Sequence, residues 1–518
     1  MMDRNKVINS ISQTKDFDVV VIGGGASGIG AALEATLRGY KTVLLEKHDF
    51  TKGTSSRSTK LIHGGVRYLA QGDLKMVREA LKERGYLMKN AAHLVHDQSF
   101  IIPNYRWWEG IFYTVGLKFY DLLAGKFSLG KSVHLSREKV LRKMPGISPD
   151  NLRGGVLYHD GQFDDSRLAM DMLHVLFNNG GIALNYAGVS ALEKKQGKIS
   201  GVVAKDAVTG NNYVIRGKTV INATGVWADE IMEMDTPDHR KSIRPSQGVH
   251  VVLDKSFLPG NHALMIPKTS DGRVLFAVPW HDHLVVGTTD TPIDENFEEP
   301  VALEEEIGFI LDTASAYFQK KVNRSDVRSV FAGLRPLAAP KHTDSKTREI
   351  SRNHQIIVSE SNLITVIGGK WTTYRKMGQD MIDTAVKKGL LTPTVSPTKT
   401  FRLNGATTSV YQKYTQYGDN AGEIAAMAMH DPALEMRIHA DLPYRWAEVE
   451  WICRNEMVVH LEDLLARRTR ALLLNARATR DIAEEVANRV SPMLHWSAGQ
   501  TESEVNSFKM LTNNYILD

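Results

Sequence analysis

The chain has 518 residues, enough for two or three domains, and its 42% hydrophobic and 24% charged residues exclude a wholly disordered protein. A net charge of +5 over this length is mild and gives no indication of a nucleic-acid partner. The single cysteine, Cys453, excludes an intrachain disulfide, and the polar N-terminus lacks the apolar core of a signal peptide. No apolar run reaches the roughly 18 residues of a membrane span. We therefore expect a cytoplasmic protein.

Residues 19–46 predict a strand, a tight turn, a helix and a second strand. The turn carries Gly23, Gly25 and Gly28 in the G-x-G-x-x-G spacing, in which one glycine makes the turn, one admits a pyrophosphate and one lets helix and strand pack. The helix N-terminus attracts phosphate, and Glu46 stands where an acceptor for the adenosine ribose hydroxyls belongs. A packing turn without a ligand does not account for five glycines in eight positions. We therefore predict a bound dinucleotide.

A predicted helix over 73–94 is followed by an aromatic-rich segment over 107–127. Four charged residues interrupt this segment, WWEGIFYTVGLKFYDLLAGKF, which makes it too polar to span a membrane. It could lie on a membrane surface, or it could form a buried or substrate-covering helix. The sequence leaves both interpretations open.

Residues 153–178 predict a strand and then a helix that begins at Asp164 and Asp165, where acidic side chains complement the helix dipole. Further strands are predicted at 200–206 and 212–223.

Residues 248–290 predict short antiparallel strands, with a hairpin signal at Asp271–Gly272. A strand followed by a helix at about 372–388 then returns the chain to βα character. Residues 391–405 are typical of a linker because they are rich in Pro, Thr and Gly. Helical patterns dominate the rest of the chain. We interpret the basic residues of its LEDLLARRTRALLL segment as a solvated helix face, namely Arg467, Arg468 and Arg470.

Three more clusters of glycine and small residues predict a close approach of the backbone to a large flat ligand, at 54–69, 221–229 and 366–376. The sequence lacks a second strand-GxGxxG-helix unit, so a separate NAD(P) domain is missing. One dinucleotide must then be the redox centre and remain bound. This favours FAD, reduced directly by the substrate.

These motifs resemble those of the bacterial FAD-dependent glycerol-3-phosphate dehydrogenases, within the wider group of glycine-oxidase-like flavoproteins. The resemblance spans roughly residues 17–480 and is carried by DVVVIGGGASGIGAALEA, SSRSTKLIHGGVRYL, INATGVWAD, RPSQGVHVV, VVGTTDT, FAGLRPL, VIGGKWTTYR and VHLEDLLARRTR. It implies an α/β fold in which a Rossmann-like FAD-binding domain is interleaved with an antiparallel-sheet substrate domain and followed by a C-terminal α-helical domain.

We divide the chain accordingly into an FAD-dependent oxidoreductase region at 17–393, a linker at 394–405 and a C-terminal helical domain at 406–518. Within the first region, the FAD-binding parts are expected at about 17–84, 151–240 and 355–393, and the substrate-domain parts at about 85–150 and 241–354.

The resemblance also assigns the cofactor site. Gly23, Gly25 and Gly28 would hold the pyrophosphate, and Glu46 the ribose. The residues expected around the flavin are Ser55, Ser56, Thr59, Lys60, His63, Gly225, Gly369 and Thr372. Some flavoenzymes attach their flavin through a histidine, which draws attention to His63, but the resemblance implies non-covalent FAD.

A phosphate monoester is a dianion at neutral pH, and arginine suits it because its planar fork bonds two oxygens and stays charged. Arg335 and Arg352 match the phosphate-binding arginines of the family. The resemblance places four more residues about the substrate, Arg67, Tyr68, His250 and Lys370. His250 is the predicted base for the C2 hydroxyl because the usual histidine pKa lies near neutrality, whereas Lys370 and Arg67 would stabilise the developing alkoxide or the reduced flavin.

The reaction implied is oxidation of sn-glycerol 3-phosphate to dihydroxyacetone phosphate by hydride transfer from C2 to FAD, with electrons passed to a membrane quinone. Because the acceptor is in the membrane and the sequence has no apolar run long enough to span it, we expect peripheral association with the inner face of the cytoplasmic membrane. We expect neither a nucleic-acid partner nor a metal, and a homodimer remains open. Three alternatives remain: an oxidase that uses oxygen, an amine or amino-acid oxidase whose arginine clamps a carboxylate, and a flavin-containing RNA-binding or redox-sensing module supported only by the basic C-terminal helix.

Overall fold

The computed structural model describes residues 2–70, 72–269, 272–339, 354–403, 405 and 412–518. Arg352 and Asp271, which the sequence singled out, lie outside these residues, and so does the side chain of Arg67. The described part of the chain combines two sheets with helices, which confirms the predicted α/β class.

The described strands are β1 (Phe17–Ile22), β2 (Thr42–Leu45), β3 (Leu61–Ile62), β4 (Val95–Asn104), β5 (Val133–Ser136), β6 (Gly154–Phe163), β7 (Ile182–Leu184), β8 (Ala187–Lys195), β9 (Lys198–Asp206), β10 (Asn212–Asn222), β11 (Ile243–Asp254), β12 (Ala263–Ile266), β13 (Leu275–Trp280), β14 (His283–Gly287), β15 (Thr291–Pro292), β16 (Val327–Ala338), β17 (Gln355–Val358) and β18 (Ile364–Ile367).

The described α-helices are α1 (Arg4–Gln13), α2 (Ala26–Leu37), α3 (Val66–Ala70), α4 (Leu74–Asn90), α5 (Glu109–Ala124), α6 (Arg137–Lys143), α7 (Asp165–Asn178), α8 (Ala228–Asp235), α9 (Glu304–Tyr317), α10 (Tyr374–Lys387), α11 (Ala421–His430), α12 (Trp446–Asn455), α13 (Ala471–Leu474), α14 (Ala476–Asp481), α15 (Ala483–Leu494) and α16 (Ala498–Thr512).

The first sheet has the order β17-β18-β10-β1-β2-β7, and all pairings along it are parallel except that of β17 with β18. The apolar run of β1 is buried on both faces, as a parallel sheet covered by helices requires. Helices α2 and α10 pack closely, since a Cβ on Gly378 would lie 2.5 Å from the carbonyl oxygen of Gly30. The β1-α2-β2 unit thus forms the predicted Rossmann-like layer.

The second sheet has the order β15-β11-β14-β13-β12-β4-β6-β3, with β16 paired to β11 and β5 to β6. Its pairings are antiparallel except for β12 with β4, which are parallel. Strands β3 and β6 belong to this sheet, although the division from sequence put 17–84 and 151–240 in the FAD-binding parts. The partners of β6 are β3, β4 and β5, which come from three separate earlier parts of the chain, so the local pattern of β6 does not reveal which sheet it joins.

The C-terminal helices α11 to α16 share a buried core with four side chains of the second sheet, Val252, Trp280, Val285 and Phe331. This core covers one face of that sheet, so the helices are packed against the oxidoreductase region.

The basic cluster of the C-terminal region is buried, and its interpretation as a solvated helix face is wrong. It belongs to a π-helical turn at Asp463–Arg468 and to the residues that follow. Arg468 donates from Nη1 and Nη2 to the two carboxylate oxygens of Asp49 at 2.7 and 2.8 Å, and Arg467 donates from Nε to the same group at 2.6 Å. Burial opposes ionisation of Asp49, but these two arginines hold its pKa below the usual range. A buried charge requires such partners, and here they come from a distant part of the chain.

Helix α5 has two different sides. Leu117 and Tyr120 are buried, whereas Ile111, Val115 and Leu122 are 67, 64 and 73% exposed. No helix among the described residues is both long and apolar enough to cross a membrane. The segment is therefore a surface helix with an apolar outer side, and it is not fully buried.

Candidate active site

A cavity of about 1110 Å³ lies where the two sheets meet. The first sheet contributes the ends of β1 and β2, and the second contributes residues of β11, β13 and β16. The carboxyl ends of parallel strands are the usual ligand position in α/β folds, so the cavity lies where a cofactor is expected.

The glycine turn borders this cavity. Gly23 has φ +107°, and a Cβ there would lie 2.6 Å from the carbonyl oxygen of Ala223. Gly25 caps α2, and together with Ala26 it lines the cavity, so the N-terminus of the helix faces the open space. Gly28 does not line the cavity. It packs against the turn itself, so closely that a Cβ there would lie 1.8 Å from the carbonyl oxygen of Gly23. Its role is the close packing of helix and strand.

Glu46 supports the turn and also lines the cavity. One carboxylate oxygen accepts from the backbone N–H of Gly24 at 2.6 Å, and the other accepts from the N–H of His48 at 2.8 Å. Burial raises the pKa of Glu46, and these two N–H donors oppose that effect. Its oxygens are therefore fixed in position where a pair of hydroxyl donors could also reach them.

The loop over residues 54–63 contributes several of the predicted cofactor residues. Ser55 Oγ accepts from the N–H of Ala26 at 2.9 Å, which ties the loop to the start of α2. Thr59 Oγ1 lies 2.9 Å from His250 Nε2, and the N–H of His63 donates to Thr372 Oγ1 at 3.2 Å. The loop residues among these, Ser55, Thr59 and His63, all line the cavity.

Ser56 and Lys60 do not line the cavity, and their expected place beside the flavin needs correction. Lys60 is buried and donates from Nζ to Asp165 Oδ2 at 2.6 Å and to the carbonyl of Ser56 at 2.8 Å. Burial lowers the pKa of Lys60 to about 8, although Asp165 opposes the shift. Both residues hold the loop from behind. The sequence could not show this, because adjacent loop residues can point in opposite directions.

The other two clusters of small residues also reach the cavity. Gly225 and Gly369 have φ +64° and +93° and line it, and so does the buried Thr372. Positive φ is costly for other residues, which explains glycine at both positions.

Arg335 lines the cavity from β16. Its Nη2 donates to Thr288 Oγ1 and to the carbonyl of Thr289, both at 2.9 Å, and its Nη1 donates to the carbonyl of Gln247 at 3.2 Å and to Asp290 Oδ1 at 3.3 Å. The guanidinium is thus held in one orientation. Thr288 and Asp290, which the residue-by-residue assignment missed, belong to the quoted motif VVGTTDT, so their signal was present in the sequence.

Lys370 lines the same cavity, and its Nζ lies 3.9 Å from the centre of the Tyr68 ring and 3.7 Å from Met76 Sδ. An ammonium at this distance from an aromatic face gains cation–π attraction, so the two predicted substrate residues are brought together.

His250 is buried on β11, and its ring stacks on Phe331 with centroids 4.9 Å apart and planes 16° apart. Burial lowers its pKa well below the usual value, and the positive charges of Lys60 and Arg335 add to this effect. The imidazole is therefore neutral at physiological pH. Its Nδ1 is buried and finds no hydrogen-bond partner among the described residues.

The sequence matches the family described as FAD dependent oxidoreductase over residues 18–375, and the C-terminal domain of alpha-glycerophosphate oxidase over 359–501. Glycerol-3-phosphate dehydrogenase of Bos taurus mitochondria is 39% identical, over 97% of this chain and 74% of its own, and the Arabidopsis thaliana protein is 37% identical, over 95% and 85%. The chain belongs to the FAD-dependent glycerol-3-phosphate dehydrogenase family.

Solved structures of this family and of related flavoproteins share the fold. Glycerol-3-phosphate dehydrogenase from Bacillus halodurans, complexed with FAD, is 30% identical with a TM-score of 0.79, over 99% of this chain and 97% of that one. L-alpha-glycerophosphate oxidase from Mycoplasma pneumoniae, at 18% identity and a TM-score of 0.59 over 76% of this chain and 99% of that one, is similar in fold alone. The predicted fold class is confirmed.

As a member of this family, the chain uses FAD, and its residues fit that cofactor. The cradle at Gly25 leaves space that a side chain would fill, since a Cβ there would lie 3.0 Å from Ser55 Oγ. The start of α2 offers N–H groups to phosphates, and Glu46 offers acceptors to hydroxyls. The cavity also exceeds the roughly 1,000 Å³ of a large small-molecule site, as a dinucleotide with a substrate requires.

A set of apolar residues in the same cavity escaped the sequence analysis. We call them the apolar wall: Phe100, Tyr158, Met265, Val274 and Phe276. They come from three separate parts of the chain, around residue 100, around residue 158 and at 265–276, so no single local motif could have revealed them.

Proposed function

We propose that this protein oxidises sn-glycerol 3-phosphate to dihydroxyacetone phosphate and passes the electrons to a membrane quinone. One observation supports this proposal above all: Arg335, which hydrogen bonds hold in one orientation, and Lys370 line the same cavity as the dinucleotide turn. The similar proteins named glycerol-3-phosphate dehydrogenase support the choice of substrate.

Arg335 and Lys370 suit a phosphate dianion. Asp290 offsets part of the positive charge of Arg335, and Lys370 adds a second positive charge to the cavity. Two cations favour a doubly charged phosphate over a singly charged carboxylate. Arg352 and the side chain of Arg67, which we also propose for the substrate, lie outside the described residues.

We propose His250 as the base that takes the proton from the C2 hydroxyl. Burial makes this imidazole a weaker base than the ordinary histidine on which the prediction from sequence relied, but the neutral ring still has a nitrogen lone pair that can accept a proton. The hydrogen bond between Thr59 and Nε2 fixes the orientation of the ring. Lys370 would stabilise the alkoxide that develops as the proton leaves. Bound FAD supplies the acceptor for the C2 hydride, and we expect the cofactor to be non-covalent.

Overall, two electrons and two protons move from glycerol 3-phosphate to the quinone, which leaves as a quinol. Membrane quinones are dissolved in the lipid bilayer, so we propose that the exposed apolar side of α5 binds to the membrane surface. Ile111, Val115 and Leu122 give this side its apolar character, and the exposed Lys118 and Lys126 flank it with positive charge. This arrangement supports our proposal of peripheral association with the inner face of the cytoplasmic membrane, and a homodimer stays a prediction.

The decisive experiment is an anaerobic titration of the purified flavoprotein. Glycerol 3-phosphate should bleach the flavin absorbance, whereas glycine, sarcosine and D-amino acids should leave it unchanged. A spectrum that persists in excess glycerol 3-phosphate would refute the proposed substrate. Acid precipitation should also release the flavin, because a covalent flavin would remain with the protein.

A second candidate is an oxidase that uses oxygen, favoured by the match of residues 359–501 to the C-terminal domain of alpha-glycerophosphate oxidase. Mixing the reduced protein with air or with a quinone analogue separates the two acceptors by rate. The RNA-binding alternative loses its support, because Arg467, Arg468 and Arg470 are buried and paired with carboxylates.

A further inference from the structure

We infer that Lys60, which lies behind the loop over residues 54–63, is a positioning residue for the reaction and holds the His250 imidazole uncharged until the C2 hydroxyl gives up its proton. This inference rests on the proposed function, in which His250 is the base. It adds a residue that does not line the cavity and that acts on the substrate only through His250.

Lys60 and His250 contact the same aromatic ring, that of Phe331. His250 on β11 and Phe331 on β16 are cross-strand partners, and their rings stack with centroids 4.9 Å apart. The Lys60 Nζ lies 5.5 Å from the centre of the Phe331 ring. Thr59, the neighbour of Lys60 in sequence, makes a second connection, because its Oγ1 lies 2.9 Å from His250 Nε2. Two separate contacts thus hold the ammonium near the imidazole.

Lys60 occupies a costly position. Its side chain is fully buried, and its backbone has φ +63°, in the left-handed region that glycine adopts more easily. A buried ammonium also loses its hydration, which the carboxylate of Asp165 at 2.6 Å and the carbonyl of Ser56 at 2.8 Å compensate. A neutral amide side chain could donate to the same two acceptors without burying a charge. The positive charge therefore indicates an electrostatic role in addition to support of the loop.

The charges that act on His250 are both positive. Burial lowers the pKa of His250 well below its usual value, and the charges of Lys60 and Arg335 lower it further. The residues paired with His250 on the two neighbouring strands, Gly287 of β14 and Phe331 of β16, carry no charge. Lys60 and Arg335 are therefore the groups that control the charge of the imidazole.

Three charged side chains act on Lys60 in turn. Asp165 and Asp164 at the start of α7 favour the ammonium form, whereas Arg470 from the C-terminal region disfavours it. Burial lowers the pKa of Lys60 to about 8, which leaves most of its molecules charged at neutral pH. The positive charge is thus present under the conditions in which His250 has to act.

Binding of the substrate gives this charge its purpose. A phosphate dianion raises the pKa of a neighbouring histidine, because it stabilises the imidazolium form. A dianion bound at Arg335 would therefore favour protonation of the base before the reaction begins. The charge of Lys60 opposes this effect. When the C2 hydroxyl proton has passed to His250 and the C2 hydrogen has left with its electron pair for FAD, the same charge favours release of the proton and restores the base.

The first test measures the charge of His250 by NMR and does not depend on activity. Histidine labelled with a stable carbon isotope in its ring is incorporated into the FAD-loaded protein, and His250→Asn identifies the signal. In the wild type the ring should stay neutral down to about pH 5, where an ordinary histidine is largely charged. In Lys60→Met the midpoint of its titration should rise by at least about one pH unit, because a nearby charge shifts a pKa by that much. An unchanged signal over the whole pH range would overturn the inference.

Two further variants separate charge from folding. The double variant Lys60→Met/Asp165→Asn removes both partners of the buried pair, so it leaves no unpaired carboxylate, and it should shift the His250 titration in the same direction. Lys60→Arg keeps the positive charge and should keep the ring neutral. Lys194→Met is the matched control for a lost ion pair, because Lys194 pairs with the buried Asp235 at 2.9 Å away from the cavity. It should titrate like the wild type.

The second test is the limiting rate of anaerobic flavin reduction at saturating glycerol 3-phosphate. Only a neutral His250 accepts the proton, so the rate should fall about tenfold at one pH unit below the midpoint of its titration. This fall should appear at a higher pH in Lys60→Met than in the wild type or in Lys60→Arg. The phosphate of the substrate titrates near about pH 6 with every variant, so the difference between variants carries the result. A purely structural role of Lys60 would lower Tm or FAD retention and leave this pH dependence unchanged.

The outcomes separate this inference from the proposed function. Equal pH profiles of the limiting rate in Lys60→Met and Lys60→Arg would overturn the inference and leave the proposed function standing. A His250→Asn protein whose flavin is reduced as fast as that of the wild type would overturn the proposed base, and this inference with it. A wild-type flavin that glycerol 3-phosphate does not reduce would instead overturn the proposed substrate, and the NMR titration would still decide whether Lys60 controls the charge of His250.

Discussion

Arg470 of the C-terminal region donates from Nη2 to Asp165 Oδ1 at 3.1 Å, while Lys60 donates to Oδ2 of the same carboxylate at 2.6 Å. The carbonyl of Ser56 accepts from both cations, at 2.5 and 2.8 Å. All three charged side chains are buried. The loop over residues 54–63, which we call the cofactor loop, is thus held from behind by Asp165 at the start of α7 and by Arg470, which is more than 400 positions away in sequence.

This arrangement predicts that Arg470→Ala loosens the cofactor loop. Removing one partner of a buried charge network typically costs about 3 to 5 kcal/mol, so we expect a clear fall in Tm and loss of FAD during gel filtration. Arg470→Lys should restore FAD retention in part. Arg480→Ala, on an exposed position of α14, is the control and should stay within about 0.5 kcal/mol of wild type. Full FAD retention in Arg470→Ala would contradict the role.

Arg335→Ala should weaken use of the phosphate substrate. A lost charge-assisted contact typically costs about 1.5 to 3 kcal/mol, so kcat/KM for glycerol 3-phosphate should fall roughly tenfold to a hundredfold. Arg328→Ala is a matched control, because Arg328 lies on the same strand β16 but pairs with Asp254 at the surface. Equal turnover in the two variants would remove Arg335 from the phosphate site.

Gly25→Ala should weaken FAD binding with little effect on folding. The added methyl would lie 3.0 Å from Ser55 Oγ and would intrude where the phosphates approach the helix N-terminus, so we expect at least about a tenfold rise in the FAD dissociation constant. Flavin fluorescence during reconstitution of the apoprotein measures this. Gly308→Ala in α9 meets no atom within 4 Å and should bind FAD normally.

The double variant Ile111→Ser/Leu122→Ser should detach the protein from membranes. Both side chains are mostly exposed, and each would lose about 1.5 to 3 kcal/mol of apolar burial on a bilayer, so binding to anionic phospholipid vesicles should fall at least tenfold in a sedimentation assay. Val214→Ser, at a 61% exposed position of β10, should bind vesicles like the wild type. Wild-type binding by the double variant would rule out this side of α5.

Glu448 should make stability depend on pH. It is buried in the C-terminal helices, and burial raises its pKa to about 7, although it accepts from the N–H of Arg445 and from the hydroxyl of Tyr417. The folded protein then holds a proton that the unfolded chain releases above a pKa of about 4.5, so stability falls as pH rises from about 4.5 to about 7. Glu448→Gln should lose this part of the Tm change between pH 5 and pH 8. The exposed Glu502→Gln should keep the wild-type pH dependence, and an unchanged slope in Glu448→Gln would contradict the raised pKa.

The sequence by itself determined the features whose physics is local. The spacing of Gly23, Gly25 and Gly28, the apolar run before them and the acidic residue after them are all read within thirty residues, and a strand, a turn and a helix N-terminus form from such short segments. The motifs around Arg335 and Lys370 likewise indicated side chains that the structure brings into one cavity.

Only the tertiary structure decided which side of a segment faces which partner. Lys60 turns away from the cavity and Arg470 is buried because both side chains donate to the carboxylate of Asp165. Asp165 is distant from both in sequence, so no local pattern predicts this pairing. Asp165 itself reads as an ordinary residue at a helix start. The apolar wall is likewise a product of the tertiary structure, because separate strands such as β4 and β13 contribute to it. Burial of charges and the joining of strands depend on contacts across the chain, and a local pattern carries no record of those contacts.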